Sequence, residues 1–443
     1  VTKAQPDAKA EPNDDETRVG SYFVANYPPF SFWKSDFVGE VERVLEEQPS
    51  PDTPAGLYLH VPFCRKRCKF CYFRVYTDKN AKDVQRYLEA VLTEARLLSK
   101  RPALERPLRF VYVGGGTPSF LSVPQLETLF HGLEAVLPFR SAEEITFECE
   151  PGTLNERKVN FLKDAGVTRL SLGVENFHDA ILEENGRAHL SAEIEEAWQW
   201  IQSARFPAVN IDLIAGMVGE TDTSWDDNVD KALALEPDSL TIYQMELPFN
   251  TVYSNQALQG GSAPHVASWP QKREWVRRAF ERFQDAGYHV SSGYTLVRDP
   301  ERVRFVYRDA LWHGADMIGM GVASFSYVGG VHYQNLDKFN DYVGALERGH
   351  LPLSRALPIE DRERLIRELI LQMKLGRVDA AYFRDKFQVE IAEDFSEPLS
   401  SLSDIGLLEQ HGDQIELTTK GLLRVDTFLP RFFLPKHQAA RYT

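Results

Sequence analysis

Six apolar runs of strand length, each followed by a stretch of helix length, constrain this chain more than any other feature. They are "GLYLHV" from Gly56, "LRFVYV" from Leu108, "EITFECEP" from Glu144, "RLSLGVEN" from Arg169, "VNIDLIAG" from Val209 and "SLTIYQME" from Ser239. Between them lie amphipathic patterns such as "AKDVQRYLEAVLTEARLLS" from Ala81. Strand-then-helix repetition predicts a parallel sheet covered by helices. In barrel-type α/β folds the chemistry sits at the carboxyl ends of the strands and in the loops after them. The polar residues of these runs cluster at those ends.

Three of the four cysteines fall in one short loop, "HVPFCRKRCKFCYF", as Cys64, Cys68 and Cys71. A disulfide there would leave one thiol over and close too short a loop to stabilise much. A structural zinc ion wants four ligands, and the fourth cysteine, Cys149, stands alone far downstream. An iron-sulfur cube held by three thiolates keeps one iron without a protein ligand, an open position at which a metal centre can bind substrate or cofactor. Few cysteines in 443 residues argue against a disulfide framework and for a reducing compartment.

Further candidates follow at the strand ends. "VGGGTPS" lets main-chain groups approach a neighbour without a Cβ in the way, although a glycine triplet is also a common tight turn. Glu148 ends the third run and can bind an ammonium, pair with an arginine or simply cap a turn. Arg187, in "ENGRAH", suits a carboxylate, which guanidinium binds at two points. Asp212 is an acid inside an apolar strand and calls for a partner. Cys149 alternates to the opposite face from Glu148 and reads as a core thiol.

The spacing C-x3-C-x2-C, with Phe70 before the last cysteine, resembles the radical S-adenosylmethionine (SAM) enzymes. The ordered run "YLHVPFCRKRCKFC…VYVGGGTPSFL…ITFECEP…RLSLGVENF…NGRAH…VNIDLIAG…IGMGVASFSYVGG…YQN" is similar to their HemN/HemW branch, from about residue 56 to the C-terminus. That branch contains oxygen-independent coproporphyrinogen III oxidases, the haem chaperone HemW and class C radical SAM methyltransferases. The resemblance implies a partial (β/α)6 TIM-like barrel with a C-terminal winged-helix-like α+β domain. It implies a [4Fe-4S] cluster on Cys64, Cys68 and Cys71, and SAM among Tyr58, Gly115, Gly116, Thr117, Glu148, Glu175, Arg187 and Asp212. Glu175 departs from the branch, which usually has glutamine there, and so alters the donors offered to the ribose.

The expected organisation is a disordered leader over 1–18, an aromatic and proline-rich segment over 19–55, a core over 56–350 and the winged-helix-like domain over 351–443. The segment "GSYFVANYPPFSFW" is not HemN's R-Y-T-S-Y-P motif, and no fourth cysteine follows the cluster loop. A HemW-like chaperone would need a haem ligand, for which His60, His189, His313 and His332 are candidates. The preferred expectation is therefore methylation or cyclopropanation of an sp2 carbon through two SAM molecules. The second SAM would lie near Tyr243, Gln244, Ser324 and Gln334, and Tyr72, Tyr76 and Glu246 would handle protons. Oxidative decarboxylation of coproporphyrinogen III or a related tetrapyrrole is the alternative, and haem handling a second.

Charge and hydropathy narrow the partners. A formal charge of −15 disfavours nucleic acid, and the longest apolar runs fall short of the roughly 20 residues that cross a bilayer. The expected setting is cytoplasmic. The expected partners are a large, flat or apolar small molecule and a flavodoxin- or reductase-type electron donor.

Overall fold

The structure is a computed structural model that describes residues 26–248, 250–258 and 266–438. The expected leader over 1–18, and the following residues up to 25, lie outside the described residues. All six apolar runs form strands: β1 (Ala55–Val61), β2 (Leu108–Gly115), β3 (Glu144–Cys149), β4 (Arg169–Glu175), β5 (Ala208–Ala215) and β6 (Ser239–Gln244). They lie side by side in chain order, each parallel to the next.

The arc stays open, as expected of a partial barrel. Beyond β6 lie the short antiparallel strands β7 (His289–Val290) and β8 (Thr295–Val297). Beyond β1 lies β9 (Asp316–Met320), parallel to it, and then the antiparallel β10 (Phe325–Val328), β11 (Val331–Asn335) and β12 (Leu353–Pro358). The helix Ala81–Leu98 shows how local sequence starts the covering layer. Asn80 accepts hydrogen bonds from the amides of Lys82 and Asp83, and Asp83 accepts one from the amide of Asn80.

After β12 the helices Asp361–Met373, Ala380–Phe387 and Ser396–Asp404 pack with a three-stranded antiparallel sheet of β13 (Arg377–Asp379), β14 (Leu408–His411) and β15 (Gln414–Leu417). This is a winged-helix-like arrangement with its own core around Leu369, Ile370, Phe383 and Phe428. The first of these helices, Asp361–Met373, is buried on nearly every side, between that core and the large sheet. β12 pairs in the large sheet, so that sheet runs past residue 351.

The aromatic segment lies across both parts. Lys34 bridges to Ala356 of β12, and the phenol of buried Tyr27 meets His437 and the amide of Leu434. Among the described residues no helix is long and apolar enough to cross a membrane.

Candidate active site

Parallel register stacks polar side chains on the inner face of the arc. Glu148 stands level with Ser171, Gly173 with Asp212, and Ile214 with Tyr243. A cavity of ≈ 440 Å³ opens above them, walled by the cysteine loop, the strand ends of β2 to β6, and residues 422–427 of the C-terminal part. It brings together Cys64, Cys68, Cys71, Gly115, Gly116, Thr117, Glu148, Glu175, Arg187, Asp212, Tyr243, Gln244, Tyr72 and Glu246.

The glycine run has a steric reason beside any ligand. A Cβ on Gly116 would stand 2.9–3.0 Å from backbone atoms of Val61, Pro62 and Phe63, and one on Gly115, at φ +115°, would strike the His60 ring. The amides of Gly116 and Thr117 bond to the carbonyls of Val61 and Phe63, both at 2.8 Å. The run thus clamps the end of β1, where the cysteine loop begins.

All four cysteines are unpaired thiols. Burial pushes the Cys64 thiol up to about 12 and Cys71 up to about 11, so a cation is what would make them thiolates. Thr117 Oγ1 donates to Cys64 Sγ at 3.3 Å, and Arg187 Nη1 donates to Cys68 Sγ at 3.3 Å. Among the described residues no three His, Cys, Asp or Glu side chains converge on a point for one ion. A cube does not need that, because each thiolate takes a different iron. This donor set fits a [4Fe-4S] cluster, which Cys64, Cys68 and Cys71 would hold at the wall of the cavity.

Three carboxylates face Arg187 across the next stretch of cavity. Glu148 accepts from Tyr112 Oη at 2.6 Å and from the amide of Gly115 at 3.0 Å. Asp212 accepts from Ser171 at 2.8 Å and Asn210 at 3.0 Å. Glu175, held at φ +64°, lies 3.5 Å from Arg187. Burial pushes Glu148 and Glu175 up to about 7, with Asp212 adding to both, and pushes Asp212 up to about 6. A surplus of acid suits a cationic ligand, and Arg187 keeps a buried Nε without a partner. Sulfonium, ammonium and carboxylate of SAM match this set.

The raised acids carry a pH signature. Each folded value stands above its unfolded one, so their contribution to stability is complete below about pH 4 and is lost as pH rises through about 6 to 7. Glu175→Gln removes one such group. The expected result is a smaller fall in melting temperature between about pH 5 and pH 8 than in the parent chain, read by scanning fluorimetry.

Several expected residues do not reach the cavity. Ser324 and Gln334 are buried across β1 from it, bonded to Gly321 and Asn335 and to Ala323 respectively, so the set expected around a second SAM is not gathered. Tyr76 accepts from the amide of Phe339 at 2.9 Å and fixes the loop there instead. Tyr58 stands behind Tyr112, stacked on it. Of the candidate haem ligands, His189 is buried with Nδ1 on Glu150 and Nε2 on the Val174 carbonyl. His332 is buried against Trp33, with Nε2 on the Tyr27 carbonyl. His60 packs beneath Gly115, and His313 lies at the exposed end of a helix, against Tyr382. None lines the cavity.

Sequence reading missed Tyr112, Trp269, Arg273, Tyr294, Arg424 and Asp426, all of which line it. Tyr112 was within reach, since alternation along β2 puts it on the same face as Gly114.

This cysteine loop over a SAM-type cradle, on an open parallel arc, defines a radical SAM protein. The sequence matches the radical SAM superfamily over residues 58–232 and the HemN C-terminal domain over residues 359–424. The chain belongs to the HemN-like branch of that superfamily. It is 24% identical over 420 residues to an oxygen-independent coproporphyrinogen III oxidase of Synechocystis, covering 90% of this chain and 89% of that one. It is 27% identical over 388 residues to the heme chaperone HemW of Lactococcus lactis, covering 86% and 98%. The solved coproporphyrinogen III oxidase HemN of Escherichia coli shares the fold, with a TM-score of 0.80 at 23% identity over 93% of this chain and 96% of that one.

Proposed function

We propose that the protein is a radical SAM oxidoreductase that oxidatively decarboxylates a propionate side chain of a reduced tetrapyrrole of the coproporphyrinogen class. The observation that carries this reading is the open wall beside the cradle. Tyr72, Phe73 and Tyr243 are 41%, 48% and 43% exposed, and all three line the cavity, with Tyr72 stacked on Phe73 at 4.6 Å. Large apolar faces left bare inside a cavity suit a flat, largely apolar molecule. The names of the relatives support the same substrate class.

When bound, the cluster and SAM supply a 5′-deoxyadenosyl radical that takes a hydrogen atom from the substrate. The chain's own residues do the rest. Arg187, Glu148 and Asp212 orient the cofactor, Tyr72 and Tyr243 offer faces to the substrate, and residues 422–427 close the wall against water. Glu246 and Tyr72 stand where a proton could be passed. An external one-electron donor, flavodoxin- or reductase-type, supplies the electron that SAM cleavage takes up, and the electron released when carbon dioxide leaves the substrate radical to give the vinyl group passes to a one-electron acceptor.

The test is anaerobic turnover of reconstituted protein with dithionite, methyl-deuterated SAM and coproporphyrinogen III, followed by mass spectrometry. The expected products are a vinyl-bearing tetrapyrrole, carbon dioxide and 5′-deoxyadenosine without deuterium from the methyl group. Deuterated 5′-deoxyadenosine with S-adenosylhomocysteine would overturn the proposal in favour of methyl or methylene transfer. Haem uptake without turnover would move it to a HemW-like role.

A further inference from the structure

The interior of the arc directly below the cradle is polar, where a barrel usually packs branched apolar side chains. Ser171 of β4, Asn210 of β5 and Ser239 of β6 stand level with one another, one layer beneath Gly173, Asp212 and Thr241. Arg169, at the start of β4, lies beneath them, and all four are buried. Burying such a set is costly unless its hydrogen bonds are made, and apolar side chains would fill the same space without that cost. The layer therefore calls for a purpose other than packing.

Its bonds run in one direction. Arg169 Nη2 donates to Ser239 Oγ at 2.7 Å and, from farther off, to Asn210 Oδ1 at 3.5 Å. Ser239 Oγ and Thr241 Oγ1 donate to that same Oδ1 at 2.8 and 3.1 Å. On its other side Asn210 Nδ2 donates to Ser171 Oγ at 2.9 Å and to Asp212 Oδ1 at 3.0 Å, and Ser171 Oγ donates to Asp212 Oδ2 at 2.8 Å. A guanidinium only donates and a carboxylate only accepts, so the amide between them has one orientation, and the hydroxyls of Ser239 and Ser171 pass their hydrogens on in the same sense. Each oxygen of Asp212 thus takes one bond from below. That fixes the plane of the carboxylate and leaves its other lone pairs to the cavity it lines. Burial raises Asp212, and Ser171, Asn210 and Arg169 oppose that rise in that order.

We propose that Arg169, Ser239, Asn210 and Ser171 are positioning residues, a one-way relay from a buried cation that holds Asp212 as a fixed two-point acceptor for adjacent hydroxyl groups of a bound ligand. In the cofactor reading those hydroxyls are the 2′ and 3′ groups of the SAM ribose. The inference rests on that reading of the cavity and is independent of the tetrapyrrole. Arg169, Ser239 and Asn210 do not line the cavity, so their effect on a ligand passes through Asp212 and Ser171, which do. Preorganisation of this kind spares the ligand the work of orienting its own acceptor.

The test is equilibrium dialysis of SAM and of its 2′-deoxy counterpart against the anaerobically reconstituted protein, with iron content and melting temperature recorded for every variant. The unaltered protein should prefer SAM by at least about tenfold, the worth of one hydrogen bond to a charged acceptor. Asn210→Leu, close in volume, and Ser171→Ala should each bring that preference down to about threefold or less, and Ser171→Thr, which keeps a hydroxyl, should retain it. A change that merely loosened the fold would weaken both ligands alike and leave their ratio at the parent value. Should Asn210→Leu fail to fold, the two Ser171 variants decide the matter alone. A parent-level ratio in the variants that fold overturns the relay and leaves the cofactor reading standing. Equal binding of the two ligands by the unaltered protein overturns it with no variant needed, and no binding of SAM overturns relay and cofactor reading together. The dialysis involves no tetrapyrrole, so its result and that of the turnover assay stand apart.

Discussion

Cys68→Ala is expected to leave a chain that folds but does not retain its cluster, and SAM cleavage should fall by at least about a thousandfold. The argument starts from position. Cys68 lies in a loop whose ends are tied down, by Cys64 N on the Tyr76 carbonyl at 3.1 Å and by Lys69 N on the Asn185 carbonyl at 3.0 Å. Losing one thiol should therefore not unravel the loop. It removes one of three iron ligands and takes from Arg187 Nη1 its sulfur partner. The buried guanidinium then faces Glu175 and the cavity with one contact fewer, so SAM affinity should fall along with the iron. Iron and sulfide analysis, the visible absorption of the reconstituted protein and 5′-deoxyadenosine yield check this. A variant with full iron content and parent-level cleavage would show that the cluster is held elsewhere.

That the cysteine loop could be found from sequence, and the far wall could not, has a physical reason. The three candidate cluster ligands lie within one short loop, so their spacing survives as a local pattern. The strands were legible for the same reason: each of the six runs is buried on both faces and reads as a continuous apolar stretch. Glu148 and Asp212 could be picked out because a carboxylate stands out against such runs, whereas Arg187 lies in the loop between the helices Asp179–Glu184 and Ser191–Ala204 and was legible from its motif, "ENGRAH". The far wall is assembled from the helix beginning at Trp269, from Tyr294 and from residues 422–427, more than 120 positions apart at the extremes. Arg273 and Arg424 look there like any charge on a helix or loop. Ser324 and Gln334 failed in the opposite sense. Their motif is genuine in sequence, but the strand it belongs to pairs on the outer side of β1, where its polar groups hold a turn together. Sequence order alone does not reveal which side of β1 a later strand takes.

That same turn supports the second large effect, one on stability. Glu94, on the helix Ala81–Leu98, is 1% exposed and accepts three hydrogen bonds: from the amide of Gly321 at 2.9 Å, from Asn335 Nδ2 at 2.6 Å and from the phenol of Tyr342. Two turns earlier on the same helix, Tyr87 donates to the His60 carbonyl at 2.7 Å and accepts from the amide of Val322 at 3.1 Å. One helix thus holds both the turn after β9 and the end of β1 from which the cysteine loop departs. Glu94→Ala would orphan two buried donors, the Gly321 amide and the Tyr342 phenol, each costing about 1–3 kcal/mol, and would take one of three acceptors from Asn335 Nδ2, which keeps the Gly321 carbonyl and Ser324 Oγ, so a loss of about 3–5 kcal/mol is expected after relaxation. A drop in melting temperature of about 3–5 °C follows for a chain of this size. Glu94→Gln keeps a carbonyl for Gly321 and Tyr342 but turns an NH2 toward Asn335, at a cost of about 1–2 kcal/mol.

The pH dependence separates this account from a mere loss of packing. Burial pushes Glu94 up to about 7 in spite of its three bonds. The folded value exceeds the unfolded one, so the parent chain gains most below about pH 4 and loses that gain as pH rises through about 7. Glutamine has no such titration. The gap in stability between parent and Glu94→Gln should therefore be widest below about pH 4, shrink as pH rises to about 7 and stay constant above that. Denaturant melts of both chains across that range measure the gap directly. A constant gap would mean that Glu94 titrates normally in the folded chain, its three hydrogen bonds offsetting burial in full, and would overturn the expected pH dependence.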